Sequence, residues 1–486
     1  MTQVSRFVIW ICRHFTKTQI ELIIKELTDV LANRNPEVKP RDDFQEKHPH
    51  WRKYSVDPTP PRSTPPTPTS PKLNWKQLLV DIKKKTGKEV SPVVIRNPKN
   101  AIPNHIHCHW CSAPQEYLYY NNGKQHSQVR CKLCKHVSPV SQRYRKPAKY
   151  WCPHCGHPLY LWKQQPDRSL YKCDWDGCSY FLSNKRKLNK LERLLLPTKS
   201  SQFKLHYSYA EYHFTEEQLI PSSPEKKDTD KLYSIRNTLN TLCLVLTFHI
   251  SLGLSARKTA FVLRHVFAIP ASYQTVLNYT QIAAYHCHKF NLAYKGDADP
   301  LQVGDEVCIK VSGKKGYAFF FLSPSRRKIT SYHCASNREV LPATIALKEA
   351  IRTVPDKTNT ITAITDGNPS YIAAVDFLNR TENAGLTHKK VIGLQNLDTE
   401  SEEYRPFKQM IERLSRSFRF HTNAACGFKE PNGAIALTTL FTTHYNFLRP
   451  HAFLNYEVPC PLPQLQGIAT LQGKWAKILR IATTIA

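Results

Sequence analysis

The stretch LQVGDEVCIKVSGKKGYAFFFL, residues 301–322, decides how the chain is read. Its first half is strand-like, Gly313 breaks it, and GYAFFFL returns as a second strand. Asp305 lies inside the first strand, where a carboxylate needs a partner or a task. Working outward, KITSYHCA (328–335) reads as a third strand, VLPATIALKEAIRTV (340–354) has a helical pattern, and TITAIT (360–365) is a further strand. Strands followed by alternating helix and strand predict a mixed sheet flanked by helices. Asp366 comes directly after TITAIT and before GNPSY, where a strand ends and a helix begins. Glu412 lies in FKQMIERLSRSFR (407–419), with Phe407, Ile411, Leu414 and Phe418 spaced for one apolar helix face.

Two carboxylates on strands and one on a helix can converge on two hard cations, Mg²⁺ or Mn²⁺. Such a pair activates a water or a 3′-hydroxyl and stabilises the leaving oxygen of an in-line phosphodiester displacement. Taken singly, each acid is more simply a solvated or salt-bridged surface group; it is their order and context that point to a site. VGDEVCIKVSGKKGY (303–317), with Gly304 inserted before the aspartate and Val307 and Cys308 in place of the usual middle, is similar to the first-aspartate strand of the DDE transposases of bacterial insertion sequences. AITDGNPSYIAAV (363–375) resembles that family's second-aspartate strand end, and MIERLSRSFR (410–419) its glutamate helix, with Ser415 replacing the common Asn. THYNFLRPH (443–451) matches the element that follows that helix. The resemblance runs from about Leu239 to His451.

The resemblance implies an RNase H-like core of the kind shared with retroviral integrases, catalysis by Asp305, Asp366 and Glu412 as ligands of two divalent ions, and DNA strand cleavage and transfer as the activity. The two aspartates are 61 positions apart and Glu412 follows 46 later, a long interval that leaves Glu400, Glu402 and Glu403 as rival third acids. Asn337 and Arg338 match a polar region beside the family's active site. Arg449 and His451 either buttress the glutamate helix through hydrogen bonds or are structural, and Arg413, Arg416 and Arg419 either grip the DNA backbone or form a solvated helix face. The implied partners are double-stranded DNA, as transposon ends and target, and further copies of the chain, in a bacterial, nucleoid-associated, cytoplasmic setting. The alternative is a catalytically silent DNA-binding or regulatory protein of transposase descent, for which loss of one acid would be the signature; all three are present.

Composition agrees with a polyanionic partner, since 69 Lys and Arg against 38 Asp and Glu give a formal charge of +31. Charge alone would also suit an RNA-binding protein without chemistry. No apolar run of membrane-spanning length occurs, and RFVIWICRHF near the start lacks a small-residue cleavage site, so a soluble, unsecreted protein is expected.

Eight of the 15 cysteines form four close pairs. Cys108 and Cys111, then Cys131 and Cys134, give two C-x-x-C knuckles; Cys152 and Cys155, then Cys173 and Cys178, repeat the arrangement with a wider last pair. Two structural Zn²⁺ sites in tandem zinc ribbons are predicted, closed by four thiolates each and so not catalytic. His105, His107, His109, His136, His154 and His157 lie near enough to replace a cysteine, most readily in the second set. Tyr117, Tyr119, Tyr120, Tyr144, Trp151, Tyr160 and Trp162 alternate with Arg143, Arg145, Lys146, Lys149 and Lys163, which suits both DNA contact and cover for a small core.

Between Leu239 and Tyr279, Ser255 and Ser272 can each cap a short helix. A helix-turn-helix would place Tyr273, Gln274, Thr275 and Asn278 at base edges, while an ordinary helical pair is the plainer reading. The expected organisation is multidomain, α+β and α/β: an amphipathic helix with Ile20, Ile23, Ile24, Leu27 and Leu31 on one face (1–35), a Pro/Thr-rich linker (36–73), a basic helical segment (74–102), ribbons at 103–140 and 141–200, a connector (201–231), the helix-turn-helix domain (232–297), the catalytic domain (298–455) and a C-terminal tail (456–486). The run NKRKLNKLER (184–193) in the second ribbon is either a phosphate contact or a solvated face.

Overall fold

The structure, a computed structural model, describes residues 9–10, 12–24, 74–108, 110–121, 125–140, 148–198, 203, 205–226, 238–355, 361–391 and 399–485. The Pro/Thr-rich linker, Leu27, Leu31, His109, Arg143, Tyr144, Arg145, Lys146 and the first residues of the expected helix-turn-helix domain (232–237) lie outside the described residues. Internal packing divides the chain into two compact units, Met1–Asp57 with His154–His157 and Cys173–Tyr207, and Pro58–Pro153 with Pro158–Lys172 and Ser208–Ala486. No helix among the described residues is long and apolar enough to cross a membrane.

In the larger unit, Asn74 caps α1 (Trp75–Thr86) by accepting the Lys76 N–H at 2.9 Å. The basic segment is thus a helix, and its apolar residues Trp75, Leu78, Leu79 and Ile82 pack against the first cysteine-rich region. There β1 (Leu118–Tyr120), β2 (Gln128–Cys131) and β3 (Val137–Pro139) form a small antiparallel sheet. A second sheet starts with β4 (Tyr160–Gln164) and β5 (Arg168–Lys172). The smaller unit holds α2 (Ser179–Arg186) and α3 (Lys190–Leu195), the latter opened by a reciprocal Asn189–Glu192 capping box. Lys185, Arg186, Lys187, Lys190 and Arg193 of the basic run are all exposed on them.

The segment expected as a connector supplies a strand, β6 (Ser208–Tyr212), which completes the second sheet beside β5. Its Tyr209, Ala210 and Tyr212 are buried, which a solvated connector could not be. Glu211 is buried among them at 2% exposure, accepting from Lys149 Nζ at 2.5 Å, Tyr150 Oη at 3.0 Å and Arg380 Nη1 at 3.3 Å. Burial opposes its charge, but the Lys149 and Tyr150 hydrogen bonds and the Lys149 and Arg380 charges outweigh it and hold its pKa below the usual 4.5. A depressed folded-state pKa stabilises above the unfolded value and loses that contribution as pH falls through the folded one. Glu211→Gln should therefore cost about 1–3 kcal/mol in denaturant unfolding near neutral pH, and the gap to wild type should close as pH is lowered below the ordinary carboxylate range.

The rest of the larger unit runs α4 (Leu239–Val245), a π turn over Leu246–Ser251, α5 (Ala256–His265), α6 (Tyr273–Tyr294), β7 (Leu301–Val311), β8 (Lys314–Ser323), β9 (Lys328–Ala335), α7 (Val340–Ile351), β10 (Ile361–Thr365), α8 (Pro369–Glu382), β11 (Leu386–Lys390), α9 (Thr399–Ala425), α10 (Pro431–Phe447) and α11 (Leu471–Ile485). The predicted mixed sheet flanked by helices is present. Its strand order is β11-β10-β7-β8-β9, with β7, β8 and β9 antiparallel and β10 and β11 parallel to β7. Strand alternation sends Val303, Val307 and Ile309 of β7 into one core with Ile411, Leu414 and Phe418 of α9 and Phe441 of α10. The opposite face is covered by α7 and α8, with Phe319, Phe321, Ile345 and Tyr371 in its core.

Gly304, the residue inserted before Asp305, has a packing reason. It pairs across the ladder with Phe321, whose ring would lie 2.5 Å from any Cβ placed there. On the other face Phe320 is the cross-strand partner of Asp305 and meets the fully buried Phe418 edge-on, centroids 4.9 Å apart. Phe418→Ala should cost about 3–5 kcal/mol in unfolding free energy and release α9 from the sheet, readable as faster amide exchange along α9.

Ser255 and Ser272 cap α5 and α6 as expected, accepting the Lys258 and Thr275 N–H groups. The second helix, however, is not short. It runs 22 residues because Val276, Tyr279, Ala283, Cys287 and Phe290 continue a buried stripe, which packs in one core with Leu440 and Phe447 of α10 and Trp475 and Ile478 of α11. The segment expected as a tail therefore ends in a packed helix, with Trp475, Ile478, Leu479 and Ala482 buried.

Candidate active site and metal centres

β10 stops at Thr365 while its neighbour β7 continues, so among the described residues that edge of β7 has no strand beside it from Asp305 until Val311, which bridges to Phe428. Three carboxylates gather there: oxygens of Asp305, Glu306 and Asp366 lie within 4.8 Å of one another. The DGNPSY sequence builds the Asp366 position locally. Asp366 accepts the Asn368 N–H at 2.9 Å, Asn368 caps α8 by accepting the Ser370 N–H at 3.1 Å, and Pro369 occupies the first helical turn, where its missing donor costs nothing.

Glu306 is the member that sequence reasoning missed. Its side chain is 5% exposed and accepts from Tyr371 Oη at 2.8 Å and Asn368 Nδ2 at 3.2 Å, with Arg338 Nη1 at 3.5 Å. Burial first, then the charge of Asp366, push its carboxyl above the usual range, against the Tyr371 and Asn368 hydrogen bonds. Burial and the charge of Glu306 drive the Tyr371 phenol well above its usual value, which keeps it a donor.

Asp305 points to α9. Lys408 Nζ lies 3.0 Å from its Oδ1, and Ser415 Oγ is 3.5 Å from Oδ2. Glu412 is four residues after Lys408 and three before Ser415, hence on the same face of α9, but it is exposed and not one of the three gathered acids. Glu402 and Glu403 are also exposed on α9, and the Glu400 side chain lies outside the described residues.

Arg413, Arg416 and Arg419 are exposed on α9. Asn337 accepts the Glu339 N–H at 3.1 Å ahead of α7, and Arg338 reaches Glu306 as noted. Arg449 lies over the Tyr445 ring at 5.7 Å, and His451 packs edge-on against the same ring at 4.7 Å. Tyr445 in turn shares a core with Ile411, Leu414 and Phe418 of α9. At the start of α6, Tyr273, Gln274 and Asn278 are exposed, Thr275 is half-buried, Gln274 donates to Asn278 at 2.9 Å, and Arg257 lies 5.8 Å over the Tyr273 ring.

In the first cysteine set the sulfurs of Cys108, Cys111, Cys131 and Cys134 lie within 4.8 Å of one another, with Cys108 and Cys134 3.5 Å apart and Cys111 and Cys131 3.7 Å apart. A tetrahedral zinc with bonds of about 2.3 Å separates its sulfurs by roughly 3.8 Å, so the four thiols fit that ion. Ser112 and Lys135, each following the second cysteine of a knuckle, adopt left-handed backbone at φ 57° and 63° and donate back to the carbonyls of Cys108 and Cys131. In the smaller unit Cys155, Cys173 and Cys178 converge likewise, Cys155 and Cys173 being 3.7 Å apart. Its neighbouring histidines are otherwise engaged: His157 stacks on Trp175 at 4.0 Å, and burial lowers the His154 pKa.

No protein-family model matches the chain, and no curated protein matches it. Among solved structures it is similar to a simian T-cell lymphotropic virus intasome in complex with the PP2A regulatory subunit B56 gamma, at 14% identity over 46% of this chain and 80% of that one, with a TM-score of 0.25. It is also similar to the HTLV-2 integrase catalytic core domain in complex with magnesium. The trimeric form matches at 12% identity over 34% of this chain and 95% of that one, TM-score 0.23; the dimeric form at 14% identity over the same shares, TM-score 0.21.

Proposed function

We propose that the chain is a DNA transposase, binding the ends of a mobile element and catalysing strand cleavage and strand transfer with two divalent ions. The observation that carries this is the meeting of Asp305 and Asp366, named from sequence context, at the edge where β10 stops short of β7. The transposase-like order of motifs and the +31 charge support it.

The donor set suits Mg²⁺ or Mn²⁺: three carboxylates whose hard oxygens lie within 4.8 Å of one another. Asp305 and Asp366 would hold the ions, and Glu412 is the third ligand. Glu306 accepts from Tyr371, Asn368 and Arg338, and through them braces the Asp366 turn and Arg338 beside the ions. Ions bound there supply the charge that makes an attacking oxygen nucleophilic and steadies the leaving one. Lys408 places a cation beside Asp305, and Arg413, Arg416 and Arg419 present charge to the substrate backbone from exposed α9. Tyr273, Gln274 and Asn278 form the base-reading tip. The two cysteine sets bind structural zinc, Cys152 completing the second by its spacing. Pairing two ends calls for more than one copy of the chain.

The test uses purified chain, Mg²⁺, and labelled duplexes carrying the DNA that flanks its coding sequence. Cleavage at the element boundary, and joining of those ends to a plasmid, are expected. Binding without cleavage in either Mg²⁺ or Mn²⁺ would overturn the enzymatic assignment in favour of a silent DNA-binding protein.

A further inference from the structure

A groove of about 720 Å³ lies on the far side of α9 from the sheet, walled by α9, the end of α10, the turn at Leu252 and the start of α11. That size falls in the roughly 300–1,000 Å³ range of ligand clefts. Arg416, Arg449 and Lys474 line it, and none of its lining residues is acidic. Phe420 offers it an aromatic ring 63% exposed. The ring is seated over Gly253, where a Cβ would come within 2.5 Å of it and where φ is +68°. In the floor His444 is 9% exposed, and its Nδ1 has no hydrogen-bond partner. Burial, then the charges of His421, Arg449 and His451, push the His444 pKa down to about 3, so the ring is neutral and one nitrogen is unspent.

An unpaired buried nitrogen costs about 1–3 kcal/mol unless something meets it, and three cations without a carboxylate call for an anion. The exposed ring selects among anions, because an acidic peptide has no use for it whereas every nucleic-acid base has a face to stack, worth about 1–3 kcal/mol. Ser415 lies 3.5 Å from Asp305 and Arg416 is the next residue of α9, so one helix carries both a contact of the acid site and a wall of the groove.

We propose that this groove is a subsite for a single DNA strand leaving the acid cluster, its phosphates on Arg416, Arg449 and Lys474, one unstacked base on Phe420, and a hydrogen bond from the floor at His444. It rests on the proposed function for the identity of the strand. The test needs no cleavage and no divalent ion. Full-length Asp305→Asn protein is irradiated with a 12-nucleotide single strand carrying 5-iodouracil, which couples to a stacked aromatic ring, and the joined peptide is identified by mass spectrometry. The cross-link should fall on the peptide containing Phe420 and vanish in Phe420→Leu, whose exposed position leaves thermal unfolding unchanged. Replacing Arg449 and Lys474 together by Gln should flatten the salt dependence of strand binding by about 1.4 in log–log slope, two phosphates' worth at about 0.7 each. Cross-links confined to other peptides, an unchanged slope, or protection of the groove by polyglutamate and not by DNA would each overturn it. A cross-link at Phe420 in a chain that never cuts DNA removes only the enzymatic assignment. Normal cutting with no such cross-link removes only the subsite.

Discussion

Asp366→Asn should lower metal-dependent DNA cleavage by about 10³-fold or more, with unfolding little changed. The amide keeps an oxygen to accept the Asn368 N–H, so the turn into α8 survives, and only the charge is lost. A divalent ion contributes several kcal/mol of charge stabilisation to a phosphodiester displacement, and about 4 kcal/mol is a thousandfold in rate. Asp305→Asn should match it. The two glutamates separate the possible third ligands: Glu412→Gln should fall as far as the aspartate variants, whereas Glu306→Gln keeps one oxygen to accept from Asn368, turns its NH2 toward the Tyr371 hydroxyl, and should lose less. Single-turnover cleavage of an end-labelled duplex measures all four, beside Mn²⁺ affinity by calorimetry. A Glu412→Gln protein with wild-type rate and affinity, next to a dead Glu306→Gln, would move the third ligand to β7.

Cys111→Ser should cost the chain one of two bound zinc ions and unfold residues 103–140 locally. The core beneath that site is small, with Ile102, Ala113, Leu118, Val129 and Leu133 as its buried aliphatic members. Zinc binding contributes roughly 10–16 kcal/mol in finger peptides, far more than such a core can replace. The four sulfurs all lie within 4.8 Å of one another, so loss of one disturbs the whole set. Elemental analysis should read two zinc ions in wild type and one in the variant, and limited proteolysis should open first near β1–β3. Two ions retained, with wild-type protease resistance, would show that these thiols are merely buried.

The parts legible in the sequence were those set by neighbours along the chain. The β7–β8 turn lies at Ser312 and Gly313, both left-handed at φ 50° and 75°, where the glycine had marked it. Ser255 and Ser272 cap their helices through bonds to residues three positions on, and each C-x-x-C of the first cysteine set closes its knuckle by one local backbone bond, from Ser112 to Cys108 and from Lys135 to Cys131. What escaped depends on distant chain. Alternation along β7 puts Glu306 on the face opposite Asp305, and only the early end of β10 lets both reach Asp366. Lys408 could not be paired with Asp305 without knowing where α9 crosses the sheet. The burial of α11 depends on a core shared with α4 and α6, more than 170 residues away in sequence.

Helix α6 joins two ends of very different character. Its first turn is exposed at Tyr273 and Gln274. Its last turns are locked to the sheet and its flanking helices: His288 and Asn291 meet the Tyr332 hydroxyl at 2.9 and 3.2 Å, Asn291 donates to the Thr439 carbonyl at 3.1 Å, and buried Lys295 pairs with Glu349 at 2.6 Å. Between them the backbone is an unbroken α-helix of 22 residues, about 33 Å long. The helix is thus a straight rod with one end clamped beside the five-stranded sheet. If the exposed tip reads DNA as proposed, its grip lies one rigid helix length, about 33 Å or roughly ten base pairs of duplex, from the clamped end.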